Sequence, residues 1–211
     1  MLTAIVLAAG ESRRMNGKNK LLMPFGRKPL IAHVVDQILQ CNVDEVIVVL
    51  GHEAENVKAT LKNLNLKFVA NETYQEGMAT SIHVGVKNAN AQTDGFMICL
   101  SDLPLIEPIE YRRLIDAFLL DNQTNKQPIV VPVYNGQRGN PVIFASYYKE
   151  EILHHKRKEG CRGVVKHNPQ HVHEVIMDQD HVLKDIDTEE DYKKALSSSI
   201  NDFPTELKPN V

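Results

Sequence analysis

Residues 3–39, TAIVLAAGESRRMNGKNKLLMPFGRKPLIAHVVDQIL, change character twice, and the two changes decide the fold. Residues 3–9 form a continuous apolar run closed by Gly10, the pattern of a strand buried on both faces of a parallel sheet. From Leu30 onward, apolar side chains recur at Ile31, Val34, Val35, Ile38 and Leu39, a helical spacing, and Pro29 suits a first helical turn. Strand and helix therefore follow each other, with a loop rich in Gly, Arg and Lys between them.

The alternation continues outward from this unit. EVIVVL at 45–50 reads as a second buried strand, and Gly51 leads into a helix marked by Ala54, Val57, Leu61 and Leu64. KFVA, the segment 78–89, GFMICL at 95–100 and a Pro108-started helix through Leu120 extend the pattern, which predicts an α/β fold with right-handed crossovers. Beyond residue 127, IVVPV and PVIF flank the turn-rich YNGQRGN and predict an antiparallel excursion. A helix around 146–158, strands near 172–177 and 181–186, and a helix from Thr188 to Leu196 complete the reading. From Ser197, with Pro204 and Pro209, the chain reads as a loosely ordered tail. A length of 211 residues suits one domain, placed over 1–198 with 199–211 as tail.

Composition narrows the function classes. Apolar residues at 43% and charged ones at 24% are ordinary for a folded globular chain, which excludes collagen-like and disordered readings. A net charge of -3 leaves no positive excess to grip a phosphate backbone, so no nucleic-acid partner is expected. Cys41, Cys99 and Cys161 lack a CxxC pair and suit a reducing compartment, and cytoplasm is the expected location. The opening MLTAIVLAAG is too short for a membrane span and has no basic flank before it, so no membrane partner is expected either.

The chemistry concentrates in GESRRMNGKNKLL at 10–22, between the first strand and the first helix, where open α/β sheets bind ligands. Gly10 is expected to let the backbone turn past a ligand, and Arg13, Arg14, Lys18 and Lys20 supply cations to phosphate oxygens. A Walker A loop does not fit, because Gly10 and Gly17 are too far apart and Asn19 follows Lys18; the dinucleotide GxGxxG fails because Glu11 and Ser12 follow Gly10. Asp102 follows GFMICL and falls at a strand end, as either a turn or cap residue or a carboxylate for a phosphate-bound Mg²⁺. In DID at 185–187, Asp187 is equally a helix cap or a second metal ligand, with Asp185 the weaker ligand. Asn71 and the run Gly77, Met78, Ala79, Thr80, Ser81 precede or start a helix, as a plain glycine turn with a cap or as a reader of a base or ribose. His167, His171 and His173 have a spacing that raises zinc, but Pro169 interrupts the helix that would align them.

LAAGESRRM, Lys20 in KLLMPFGRKPLI, NETYQEGMATSI at 71–82, CLSDLPLI at 99–106, YNGQRGNPVIF at 134–144 and DIDTEEDY at 185–192 run in order along nearly the whole chain. Together they resemble the MobA-like nucleotidyltransferases, and within them the molybdenum cofactor cytidylyltransferase group. Asn16, Glu11 and GCRG at 160–163 depart from the family pattern. The resemblance implies a three-layer, Rossmann-like, mostly parallel sheet of the nucleotide-diphospho-sugar transferase type. It implies a nucleotide-binding half over 1–106 and an acceptor-binding half over 107–198. It further implies Mg²⁺-dependent transfer of CMP from CTP to the terminal phosphate of molybdopterin, with pyrophosphate released; Ala9 favours cytidine over the guanine of relatives that carry LAGG.

On that reading Lys20, Arg13 and Asp102 are catalytic, and Leu7, Ala8, Ala9, Gly10, Arg13, Lys20, Asn71, Gly77, Met78 and Ser81 bind nucleotide. Asp102 and Asp187 hold the metal, Arg138 and Asn140 meet the acceptor, and Arg14 packs or faces solvent. Two other readings stay open: cytidylyl or uridylyl transfer to a sugar or polyol phosphate, and a non-catalytic nucleotide- or cofactor-binding factor that matures a molybdoenzyme.

Overall fold

The computed structural model describes residues 1–124, 127–154 and 160–199. Its first unit is strand β1 (Leu2–Ala8), the loop through Asn19, a 3-10 turn at Lys20–Leu22, a two-stranded ribbon β2 (Pro24–Phe25) and β3 (Lys28–Pro29), and helix α1 (Leu30–Leu39). All seven residues of β1 are buried, as the uninterrupted apolar run requires for a central strand. The ribbon was not foreseen: Gly26, at φ +63, closes it, and one pair of residues on each side suffices.

β4 (Glu45–Leu50), α2 (Ala54–Leu61), β5 (Lys67–Ala70), α3 (Met78–Asn88) and β6 (Gly95–Leu100) repeat the alternation. β1 lies between β4 and β6, parallel to both, and β5 runs parallel to β4. After α4 (Pro108–Thr124), the strands β7 (Ile129–Tyr134), β8 (Gln137–Arg138) and β9 (Val142–Ala145) form the antiparallel excursion. β9 pairs antiparallel with both β6 and β7, and β10 (Val172–Ile176) returns parallel to β7. The sheet order is β10-β7-β9-β6-β1-β4-β5, with β8 on β7, and helices cover both faces.

Three expectations need correction. The helix expected around 146–158 is a 3-10 turn at Ser146–Tyr148 followed by α5 (Lys149–His154), and its end falls outside the described residues. The strand expected near 181–186 is a 3-10 turn at Asp180–Leu183 followed by irregular chain. That turn buries Val182, and the chain beyond it buries Ile186, so the apolar pattern is satisfied without a ladder; the Val182 carbonyl accepts from the Asn140 amide at 3.0 Å. The tail starts later than Ser197: α6 (Gly160–His167) precedes β10, and the last helix, α7 (Glu189–Ser199), carries Ser197 and Ser198 with their hydroxyls on carbonyls one turn back. The rest of the tail lies outside the described residues.

What positions the site is the seating of α3. A side chain at Gly85 would collide with Ile5, so the missing Cβ lets this helix lie directly on β1. The N-terminus of α3 is thereby carried to the carboxyl end of β1.

Candidate active site

At the carboxyl ends of β1 and β6 a cleft of about 420 Å³ opens between the Gly10–Lys20 loop, the start of α3 and the segment around Asp187. The loop is pinned at two points. Met15 is fully buried, and the Ser12 hydroxyl accepts from the Lys20 amide at 3.1 Å. Left-handed backbone at Ser12, Asn16 and Gly17 makes the turn. Gly10 does not make it: its φ is ordinary, and nothing lies within 4 Å of where a Cβ would stand. The exposed Gly10 instead leaves open space in the cleft wall. Asn16, a departure from the family pattern, takes one of the left-handed positions, which Asn tolerates better than most residues.

The floor of the cleft is ionic. The Lys20 ammonium donates to Asp102 Oδ2 at 2.6 Å, to the Ile186 carbonyl at 2.7 Å and to Asp187 Oδ1 at 3.2 Å. The other oxygen of Asp187 accepts from Arg14 at 2.6 Å. A backbone bond from the Ile186 amide to the Asp102 carbonyl, 2.9 Å, stitches the two acid-bearing segments together. Asp185, beside them, has its carboxyl pushed up, first by partial burial and then by the carboxylates of Asp187 and Asp102. At the rim Glu11 Oε2 accepts from Arg13 twice, Nε at 3.0 Å and a terminal nitrogen at 2.6 Å. Lys18 faces Glu189 at 3.7 Å.

The opposite wall is the entry to α3. Gly77 has φ +116, a conformation open to glycine and strained for other residues, and it is exposed beside Met78. Ser81 lines the cleft one turn later. Asn71 stands behind this wall rather than in it: only 2% exposed, it donates to the hydroxyls of Thr80 and Ser81 at 2.8 and 2.9 Å and accepts from the Thr73 amide. Its structural work is to hold the Thr73–Ser81 loop.

Of the residues expected at the site, Leu7, Ala9, Gly10, Arg13, Lys20, Gly77, Met78, Ser81, Asp102 and Asp187 line the cleft. Ala8 is fully buried and Asn71 is behind the wall, so neither does. Arg138 and Asn140 are also absent from the lining; Arg138 pairs with Glu174 at 2.8 Å. Arg14, expected to pack or face solvent, is tied to Asp187. Glu11, Ser12, Tyr74 and Ser101 line the cleft without having been singled out. Tyr74 lies within the motif NETYQEGMATSI, between Asn71 and Gly77, which is the signal that could have found it.

Histidine zinc binding finds no support. His171 Nδ1 meets the Tyr148 hydroxyl at 2.7 Å and His173 meets Asp121 at 2.6 Å, so the imidazoles serve different neighbours. Among the described residues no group of three or more His, Cys, Asp or Glu is placed to hold a metal. A hard divalent ion with few protein ligands needs less: two carboxylates, with the rest of its shell from phosphate and water. Asp102 and Asp187, both within reach of one ammonium, fit that requirement.

A family model described as the MobA-like NTP transferase domain matches residues 4–175. The chain belongs to the MobA-like NTP transferase family. It is 32% identical over 156 residues to the bifunctional protein GlmU of Geobacillus sp. (strain WCH70), covering 72% of this chain and 33% of that protein. The chain thus spans about a third of that curated relative's length. Among solved structures, Rv0371c from Mycobacterium tuberculosis H37Rv superposes with a TM-score of 0.80 at 28% identity, covering 93% of this chain and 97% of that one. Rv0371c has also been solved in complex with manganese, with a TM-score of 0.76 and 28% identity, covering 93% of this chain and 98% of that one. A nucleotidyl transferase from Methanothermobacter, Mth528, has a TM-score of 0.83 at 20% identity over 96% and 99% of the two chains and shares the fold. Among the described residues no helix is long and apolar enough to cross a membrane.

Proposed function

We propose that this MobA-like protein transfers CMP from CTP to the terminal phosphate of molybdopterin, releasing pyrophosphate. The observation that carries the reading is the convergence of Lys20, Asp102 and Asp187 on one point of a cleft walled by the β1 loop and the start of α3.

The acceptor phosphate is already a nucleophile, so the protein has to align and neutralise rather than generate one. Lys20 and Arg13 carry the positive charge for the triphosphate, and Arg13 turns from Glu11 to do so. Gly77 and Met78, exposed at the positive end of α3, line the same cleft, and that end of the helix favours an anionic or polar ligand edge. Asp102 and Asp187 would hold the divalent ion, Mg²⁺ on this reading, which when bound screens the phosphate charge. The manganese complex of Rv0371c supports a divalent ion in this fold. Arg138 and Asn140 are proposed for the acceptor on the resemblance of YNGQRGN alone. Transfer of the product to a molybdoenzyme, and a cytoplasmic location, belong to the same proposal.

The test is a matrix of CTP, GTP, UTP and ATP against molybdopterin and sugar or polyol phosphates, with Mg²⁺ present and pyrophosphate measured. CTP with molybdopterin should lead every other nucleotide by at least ~10-fold in kcat/KM, because a hydrogen-bonding base site leaves polar groups unpaired with the wrong base. Preference for GTP overturns the cytidylyl assignment, a sugar phosphate in the lead overturns the acceptor, and no pyrophosphate from any pair leaves a non-catalytic binding protein.

A further inference from the structure

The floor of the cleft holds one ammonium where the proposed reaction needs a divalent ion. Lys20 Nζ has three hydrogens, and the structure gives it three acceptors: Asp102, Asp187 and the Ile186 carbonyl. No donor is left for a phosphate, so Lys20 cannot serve the triphosphate without giving up one of these bonds. Its side chain is only 13% exposed, and its backbone is fixed by the Ser12 hydroxyl within the 3-10 turn Lys20–Leu22. The change open to it is a swing of the four-carbon stem.

Charge sets the other half of the argument. Asp102 and Asp187 face two cations, Lys20 and Arg14, so each of the two carboxylates already has a cationic partner, with Asp185 a third carboxyl beside them. A divalent ion entering with Lys20 in place would meet an ammonium a few ångströms away between the same two carboxylates, a repulsion that the cleft's partial burial strengthens.

We propose that Lys20 is the resident counterion of Asp102 and Asp187 in the free protein, and that its transfer to the incoming phosphates opens this pair to the divalent ion. Metal and nucleotide then bind with strong mutual dependence, and the metal alone binds poorly. The coupling rests on the nucleotidyl-transfer reading, but its central arm needs no nucleotide.

The experiment is titration of the purified chain with Mn²⁺, read by the loss of the free-ion electron paramagnetic resonance signal. Wild type without nucleotide should bind weakly, and CTP should tighten binding. Lys20→Met, which removes the ammonium and keeps the stem, should bind Mn²⁺ without nucleotide about tenfold or more tighter than wild type, the scale of one like charge removed at short range. Lys20→Arg, which keeps the charge, should stay weak, and adding Asp102→Asn to Lys20→Met should abolish the gain. Lys20→Gln repeats the test should the Met variant fold poorly, with thermal melts recorded for each. A folded Lys20→Met or Lys20→Gln that binds Mn²⁺ no better than wild type overturns the proposal, as does wild type binding Mn²⁺ equally well with and without CTP. Should wild type bind none of the four nucleotides, the functional reading falls, while the gain in Lys20→Met still decides whether Lys20 occupies the cation's place.

Discussion

Replacing Asp102 by Asn separates the two roles a strand-end acid can play. The carboxylate accepts from Lys20 at 2.6 Å, and its side chain is 20% exposed, so the bond is charge-assisted and partly screened. Asn preserves the shape and one acceptor oxygen, and Lys20 keeps Asp187 and the Ile186 carbonyl. The loss is therefore the difference between a charged and a neutral hydrogen bond, roughly 1 kcal/mol. For a chain of this size that lowers Tm by about 2–4 °C. Turnover should respond on another scale, since removing the charge that opposes a divalent ion beside phosphate can cost on the order of 10²-fold. The assay pairs thermal denaturation with pyrophosphate release across a Mg²⁺ titration, with partial recovery at high Mg²⁺ or with Mn²⁺. Wild-type turnover with unchanged Mg²⁺ dependence would refute the assignment and leave Asp102 a turn residue.

Lys20→Ala should lower turnover on the order of 10²-fold or more in a folded protein, measured by steady-state pyrophosphate release. Gly77→Ala places a side chain at φ +116 and should cost about 1–3 kcal/mol in denaturant unfolding, with weaker nucleotide binding because the entry to α3 shifts. Asn71→Ala strands the buried partners of a 2% exposed amide and should destabilise by roughly 2–4 kcal/mol, while Asn71→Ser recovers little. The His181 imidazole meets Glu110 Oε2 at 2.9 Å, and this hydrogen bond raises its pKa against the opposing effect of burial. Stability from the pair is fully present below the ordinary value of about 6.5 and is lost as pH climbs through the raised one, so His181→Asn should flatten the fall in unfolding free energy across that window. An unchanged slope in the variant would remove the pair from the pH response.

The sequence made β1, its loop and the strand-end position of Asp102 readable because each depends on local patterning: an apolar run, a glycine, an acid. Lys20 and Asp187 were readable as chemistry but not as partners, since nothing in DIDTEEDY signals an ammonium that lies 167 residues earlier. The pairing of Arg14 with Asp187 escaped for the same reason, as did the antiparallel seat of β9 between β6 and β7, which long-range pairing alone determines. The misread strand at 181–186 had the right burial and the wrong hydrogen bonds. Periodicity reports which side chains are buried; where the backbone donates must come from tertiary structure. Asn71 shows the reverse case, a polar residue in a binding-like motif whose hydrogen bonds all turn inward.

The bonds that close the cleft floor span 82, 166 and 167 residues from Lys20, and the one from Arg14 spans 173. A ribosome releases the chain from its N-terminal end at about 5–20 residues per second, so the β1 loop emerges many seconds before the DID segment exists. Until then the cations of that loop have no Asp187 to hold them, and contacts of such separation form late in folding. The basic loop is thus made first and the last of its acid partners much later, so an interrupted chain ending before residue 185 would leave Arg14 without Asp187 and Lys20 with Asp102 as its one carboxylate partner of the pair.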